Sequence, residues 1–352
     1  MVEPAPGPSR LASRVARWLI SVGLLYLVYR LVPFTGVLAA LALARGWLVV
    51  LACALVLAGQ MFVAWRMKLL IDPQGIQLRT AQLLEINLAS SLYSLVLPWA
   101  TAVNLAVRVL RLSRLQMKWT EILSALAVDR LLATASLATV GLVFWLAAEM
   151  PIGAHAPPHA APAAIGWTMV AALVGTVFLS LVLFHPAFAR LWQGAVRRLP
   201  GGGIGGVIRA QSLSVAAYQN VSVSEVALVL VLSAVPHLLG IVAYVLLGES
   251  LGIAVDFTAW GWIRSAVMLA TLIPVSVGGL GIRDGALLYL LAPYGVHGNK
   301  ALALAFLVFG ATVVFPALVG GLFEWRTLVS DRKPAETTRG PRRSADPESR
   351  SL

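Results

Sequence analysis

Residues 273–285 read Ile-Pro-Val-Ser-Val-Gly-Gly-Leu-Gly-Ile-Arg-Asp-Gly, a helix-breaking run that ends in an adjacent arginine and aspartate and lies between two strongly apolar stretches. In hydrocarbon, every freed backbone N–H or C=O costs several kcal/mol, so broken backbone persists at membrane depth only inside protein or around a polar cavity. A half-helix opening at Ile282 would aim its unpaired N–H groups and positive dipole end past Gly278, Gly279 and Gly281, which is an anion cradle. Arg283 adds a permanently charged planar fork suited to a phosphate. Asp284 fits the first helical turn, where the dipole favours a carboxylate. The competing reading makes the glycines packing sites and pairs Arg283 with another buried carboxylate.

Asp129 and Arg130 form a second charged pair, about 15 Å into a helix that starts near Trp119. Neighbours on a helix point about 100° apart, so each is expected to reach another element. One arrangement crosses the two pairs, Asp129 with Arg283 and Arg130 with Asp284, and structural glue and substrate contact both remain open for it. Secondary candidates are Asn104 and Thr101 after Pro98, Glu85 and Asn87 before it, and Arg264. Trp260 and Trp262 read as membrane-interface markers. His155 and His159 sit among prolines, and His185 and His237 each adjoin a proline in isolation, so no metal site is expected. Enzyme signatures are missing: no His-Glu-x-x-His, no Gly-x-Ser-x-Gly, no phosphate-binding Walker loop and no complete dinucleotide fingerprint. No cofactor is implied.

The elements that must hold these residues follow from composition. Of 352 residues, 59% are hydrophobic and 12% charged, with a mean hydropathy of +0.85, and apolar stretches of about 20 residues recur along the chain. This is an all-α, polytopic integral membrane protein. The net charge of +12 resides in short loops and in the tail, which reads as topological information and contact with an anionic lipid surface, not as nucleic-acid binding. The single cysteine, Cys53, excludes an internal disulfide.

Six full spans are expected at about 17–34, 46–66, 120–148, 164–185, 224–248 and 299–325. Two further apolar stretches are interrupted, 81–107 at Leu97-Pro98-Trp99 and 258–294 at Pro274 to Gly281. Basic residues flank both ends of the first, Arg66, Lys68 and Arg79 before it and Arg108, Arg111 and Arg114 after it, while the second has a poorly basic surround. The positive-inside rule then makes them two re-entrant hairpins that open to opposite sides, with both termini cytoplasmic. Residues 17–150 and 164–326 become inverted copies of one arrangement within a single transmembrane domain, preceded by a cytoplasmic segment 1–16 and followed by a disordered basic tail 327–352. Kinked helices that cross fully are the alternative to re-entrant arms.

The stretch Ile122-Leu-Ser-Ala-Leu-Ala-Val-Asp-Arg-Leu-Leu, together with residues 273–286, resembles the lysylphosphatidylglycerol synthase transmembrane-region family, also described as flippase-like membrane proteins. The resemblance runs over about residues 15–326. It implies a module that moves lipids or lipid-linked molecules between leaflets, fused in some members to a soluble aminoacyl-transfer domain that is not expected within these 352 residues. One departure stands in the first hairpin, Pro98-Trp-Ala-Thr-Ala-Val-Asn104-Leu-Ala-Val-Arg108, where bulkier residues replace glycines and Asn104 replaces an acid. The expectation is a bacterial inner-membrane protein that binds a phospholipid or lipid-linked precursor at the hairpin tips, Pro98 and Pro274, beside Asn104, Asp129, Arg130, Gly278, Gly279, Gly281, Arg283 and Asp284. A membrane-embedded lipid transferase using Asp129 or Asp284 as base, and a scaffold for a lipid or glycan biosynthetic complex, are the alternatives. Self-association and biosynthetic partners are left open.

Overall fold

A computed structural model describes residues 34–74, 76–96, 100–115, 118–148, 160–184, 194, 223–272 and 281–330, and every regular element among them is helical. In chain order the α-helices are α1 (Phe34–Ala42), α2 (Gly46–Ile71), α3 (Thr80–Val96), α4 (Ala100–Ser113), α5 (Trp119–Ala147), α6 (Ala160–Phe184), α7 (Val223–Ser250), α8 (Phe257–Thr271), α9 (Ile282–Leu291), α10 (Gly298–Phe309) and α11 (Phe315–Ser330). A π-helical turn, Gly310–Val314, joins α10 to α11 without a break in the rod. The expected first span up to residue 33, the N-terminal segment and the tail from residue 331 lie outside the described residues, as do both hairpin tips at 97–99 and 273–280.

Apolar length decides which of these helices are long enough to cross a membrane. Gly46–Ile71, Trp119–Ala147, Leu228–Ser250 and Gly298–Arg326 are, among the described residues. By contrast, α3, α4, α8 and α9 have 17, 14, 15 and 10 residues. At about 1.5 Å per residue they reach roughly 15 to 26 Å, short of a hydrocarbon core of about 30 Å. Large apolar side chains face outward as well as inward: Leu43, Trp167 and Trp325 are exposed, an arrangement that is stable only where the solvent is itself apolar.

The packing has a doubled character. α2 lies along α7 in the most extensive helix–helix contact, α3 rests on α11, and α8 rests on α5. Likewise α1 packs on α10 and α6 on α5. Small residues bring these helices together. Gly261 of α8 lies against Phe144 of α5, and Gly141 of α5 lies against Ser265 of α8. Two larger apolar cores result, beside a small cluster of Leu70, Val128 and Val229. One gathers Tyr244, Trp260, Ile263 and Leu287 between α7, α8 and α9, and the other gathers Met67, Leu83, Leu112 and Ile122 under the α3–α4 arms. Trp260 and Trp262 are therefore core residues, 1% and 4% exposed, and not the interface markers the sequence suggested. Gly248 of α7 leaves the space that the Trp260 ring fills, so tertiary packing overrides the usual lipid-interface preference of tryptophan.

The tightest backbone approach is at Gly320 of α11, where a Cβ would lie 2.1 Å from the Leu88 carbonyl oxygen of α3. Gly320→Ala is expected to lower the stability of the detergent-solubilised protein by about 1–3 kcal/mol, since backbone on both sides must move. Gly175→Ala on α6, where a Cβ meets nothing within 4 Å, should leave the melting temperature unchanged or raise it slightly. Equal melting temperatures for the two variants would contradict this packing.

Candidate functional site

On α5 the buried side chains Ile122, Ala125, Leu126 and Asp129 follow helical spacing, which carries Asp129 into the protein on the same stripe as its apolar neighbours. There it meets Arg66 of α2. Arg66 Nε donates to Asp129 Oδ1 over 2.8 Å and Nη2 approaches the same oxygen to 2.6 Å, with the two side chains 3% and 6% exposed. The crossed pairing is thus replaced: Asp129 is taken by Arg66, a residue the sequence had assigned to a cytoplasmic flank. Arg130, one position on, is turned out of the stripe and exposed. It belongs to no buried pair.

The α3–α4 arms add neutral groups beside this ion pair. Asn104 Nδ2 of α4 donates to Ser90 Oγ of α3 over 3.1 Å, Ser90 Oγ donates to the Asn87 carbonyl over 2.7 Å, and Arg108 Nε lies 3.5 Å from Ser90 Oγ. Asn87 Nδ2 is buried without a hydrogen-bond partner among the described residues. The Arg108 guanidinium is within electrostatic reach of Asp129, Arg130 and Arg66. Farther along α4, Arg111 pairs with Glu324 of α11. Glu85 points outward and takes no part, and Pro98 and the side chain of Thr101 lie outside the described residues. Ser90 was not singled out from sequence. Its signal was the Ser90-Ser91-x-x-Ser94 spacing inside an otherwise apolar arm.

After the second interrupted stretch a helix begins at Ile282, as expected. Gly281 precedes it at φ +82°, a left-handed conformation that a side chain would strain. Gly278, Gly279 and Pro274 lie outside the described residues. The Asp284 carboxylate turns back onto the start of its own helix: Oδ2 accepts the Gly281 N–H over 2.9 Å, and Oδ1 is 3.4 Å from Arg283 Nη2. Arg283 also lies over the Phe309 ring at 4.9 Å, while its Nε is buried and has no hydrogen-bond partner among the described residues. The helix start is therefore already met by a carboxylate, which offsets much of the positive end that a bound anion would use.

Between these two centres runs one face of α7, carrying His237, Gly240 and Tyr244 at helical spacing. His237 Nε2 lies 3.1 Å from the Ala133 carbonyl, so that nitrogen carries the proton, and Nδ1 is buried without a partner. Arg264 of α8 is 8% exposed, and its guanidinium lies over Gly240 and 5.8 Å from the Tyr244 ring centre. Its Nε and Nη1 have no hydrogen-bond partner among the described residues. The sequence ranked Arg264 as secondary because nothing near it in the chain marks it out.

Among the described residues, the buried charges are thus Arg66, Arg264 and Arg283 against Asp129 and Asp284, three cations against two anions. Removing one partner of the buried Arg66–Asp129 pair should cost about 3–5 kcal/mol, because the other charge is left stranded. Arg66→Met and Asp129→Leu singly are expected to lower the melting temperature sharply, and the double variant to recover most of the loss. Additive losses in the double variant would contradict the pairing, and Arg130→Ala should be near neutral by the same measurement.

This geometry accompanies a match across most of the chain. The family described as "Lysylphosphatidylglycerol synthase TM region" matches residues 14–320. Comparison with curated proteins finds none that matches. A membrane-embedded helical body carrying buried, paired arginines and aspartates, with a family match over residues 14–320, means that the chain belongs to the lysylphosphatidylglycerol synthase transmembrane-region family, whose members are related to lipid biosynthesis or flipping.

Proposed function

We propose that this protein moves a phospholipid or lipid-linked precursor between the leaflets of a bacterial inner membrane. The observation that carries the reading is the row of buried charge described above, with one more arginine than aspartate among the described residues. Charges within apolar helices are costly to maintain, and where they exceed their partners they mark a path for a charged substrate. A surplus cation favours an anionic head group.

The doubled packing supports an inverted repeat. If residues 17–150 and 164–326 are matched half to half, α3 corresponds to α8 and α5 to the α10–α11 rod, so the contacts of α3 on α11 and of α8 on α5 are the same contact made twice. The α2–α7 contact then lies on the pseudo-twofold axis. Arms of about 15 to 26 Å suit re-entrant hairpins that meet in the bilayer from opposite sides, next to six full spans with both termini cytoplasmic. In this reading the two halves rock against each other about α2 and α7, and the polar face of α7 stays in the middle. The Asp129 and Asp284 carboxylates are each committed, one to Arg66 and one to its own helix start, which leaves little for the transferase reading, where one of them must act as base.

Purified protein reconstituted in liposomes is expected to speed leaflet exchange of a fluorescent anionic phospholipid, read by dithionite quenching. Arg283→Ala should slow this roughly tenfold or more, equivalent to about 1.4 kcal/mol of barrier. Exchange no faster than in empty liposomes would end the transport reading. Conversion of the lipid to a new product would instead favour the transferase.

A further inference from the structure

We infer that Arg264, seated over Gly240 between His237 and Tyr244, is the subsite that holds the phosphodiester of the lipid substrate. The inference rests on the lipid-moving reading and gives it a residue and a chemical class.

The alternatives among the buried cations are already committed. Arg66 is bound by Asp129, and Arg283 is held by Asp284 and by the Phe309 ring. The glycine cradle at the start of α9 has its own carboxylate in place. Arg264 differs from both: no carboxylate faces it among the described residues, and two of its nitrogens are buried and unpartnered. A guanidinium is always charged and presents a planar donor fork that matches two phosphate oxygens at once. Leaving such a group unpaired at membrane depth is strongly destabilising, and a structure that retains it does so where a ligand completes the site.

The surroundings fit an oxyanion brought to that fork. Gly240 on the α7 face leaves the space that the guanidinium fills: a Cβ there would lie 2.2 Å from Nη2 and 2.5 Å from the carbon centre. His237 is within electrostatic reach of Arg264, and Tyr244 is within reach of both Arg264 and Arg283. An anion on Arg264 would therefore sit between the Arg66–Asp129 and Arg283–Asp284 centres, about 10 Å of α7 spanning the residues that flank it, since His237 and Tyr244 are seven positions apart. That is the middle of the proposed path.

Two variants separate a binding role from a structural one. Arg264→Met removes an uncompensated buried charge while keeping an unbranched side chain, so delipidated protein in detergent should melt at the same or a higher temperature. Gly240→Ala keeps the arginine but pushes its guanidinium aside, and the atoms it meets are the far end of a flexible side chain. The probes are dioctanoyl phosphatidylglycerol, uncharged dioctanoylglycerol and glycerol 3-phosphate, each titrated against the melting temperature of the whole protein.

Phosphatidylglycerol should stabilise the wild type saturably, and both variants should weaken its apparent affinity roughly tenfold or more. Arg264→Lys should recover part of the loss, and dioctanoylglycerol should not distinguish the three proteins. Unchanged affinity in Arg264→Met, or destabilisation of Arg264→Met with normal lipid affinity in Gly240→Ala, would overturn the assignment and make Arg264 a structural residue. Equal stabilisation by glycerol 3-phosphate would overturn its lipid character. Leaflet exchange measured in parallel keeps the two readings apart. Arg264-dependent binding without exchange removes transport and keeps the site, and exchange with Arg264-independent binding removes the site alone.

Discussion

Everything polar in this protein answers to one constraint: hydrocarbon offers a charge nothing to bond to. The Arg66–Asp129 pair meets it by contact, two nitrogens on one carboxylate oxygen, with α2 and α5 held together at that point. Arg283 and Asp284 meet it locally, through each other, a ring face and a backbone N–H. Each solution fixes a helix: the first ties α5 to the long α2–α7 contact, and the second sets where α9 begins. Buried ion pairs of this sort contribute little net stability against apolar packing, so their value to the fold lies in register.

The helix α7 connects the two solutions. Its outer faces are apolar, and Val231 and Leu238 are exposed to the surroundings, yet the His237–Gly240–Tyr244 face turns toward charged residues of other helices. Because α2 runs along α7, the most extensive single helix–helix contact also presents this face to the interior. Apolar packing and polar side chains are here carried on different sides of one rod, which explains how a mostly apolar chain can keep a polar row without losing its fold. Small residues at the crossings, Gly141, Gly261 and Gly320, let the rods approach closely enough for dispersion forces to hold them where the hydrophobic effect between helices is absent.

Most of the helices could be read from sequence, because an apolar run long enough to cross a bilayer has almost no other way to satisfy its backbone. The start of α9 was equally readable: glycine before Ile282 and aspartate two positions after it are local helix-start chemistry, decided by neighbours in the chain. The partners of the charged residues were not. Asp129 was matched to Arg283 and found on Arg66, 63 positions away, and Arg66 resembled one more basic flank. Arg130 looked like the twin of Asp129, but the 100° between successive residues carried one inward and the other out. Trp260 and Trp262 looked like interface markers, and packing against α7 placed them in the core.

The division has a physical cause. The sequence by itself determined that this is an all-helical membrane protein, where its long helices run, and that its few charges within apolar stretches are the residues to watch, since these depend on length, hydropathy and chain neighbours. Only the tertiary structure decided which charges are neutralised and which is left over. Arg264 carries no local mark that separates it from Arg66. What distinguishes them is that an aspartate of α5 reaches one, while the other faces a glycine and an aromatic ring of α7, and such meetings arise from the packing of helices far apart in the chain.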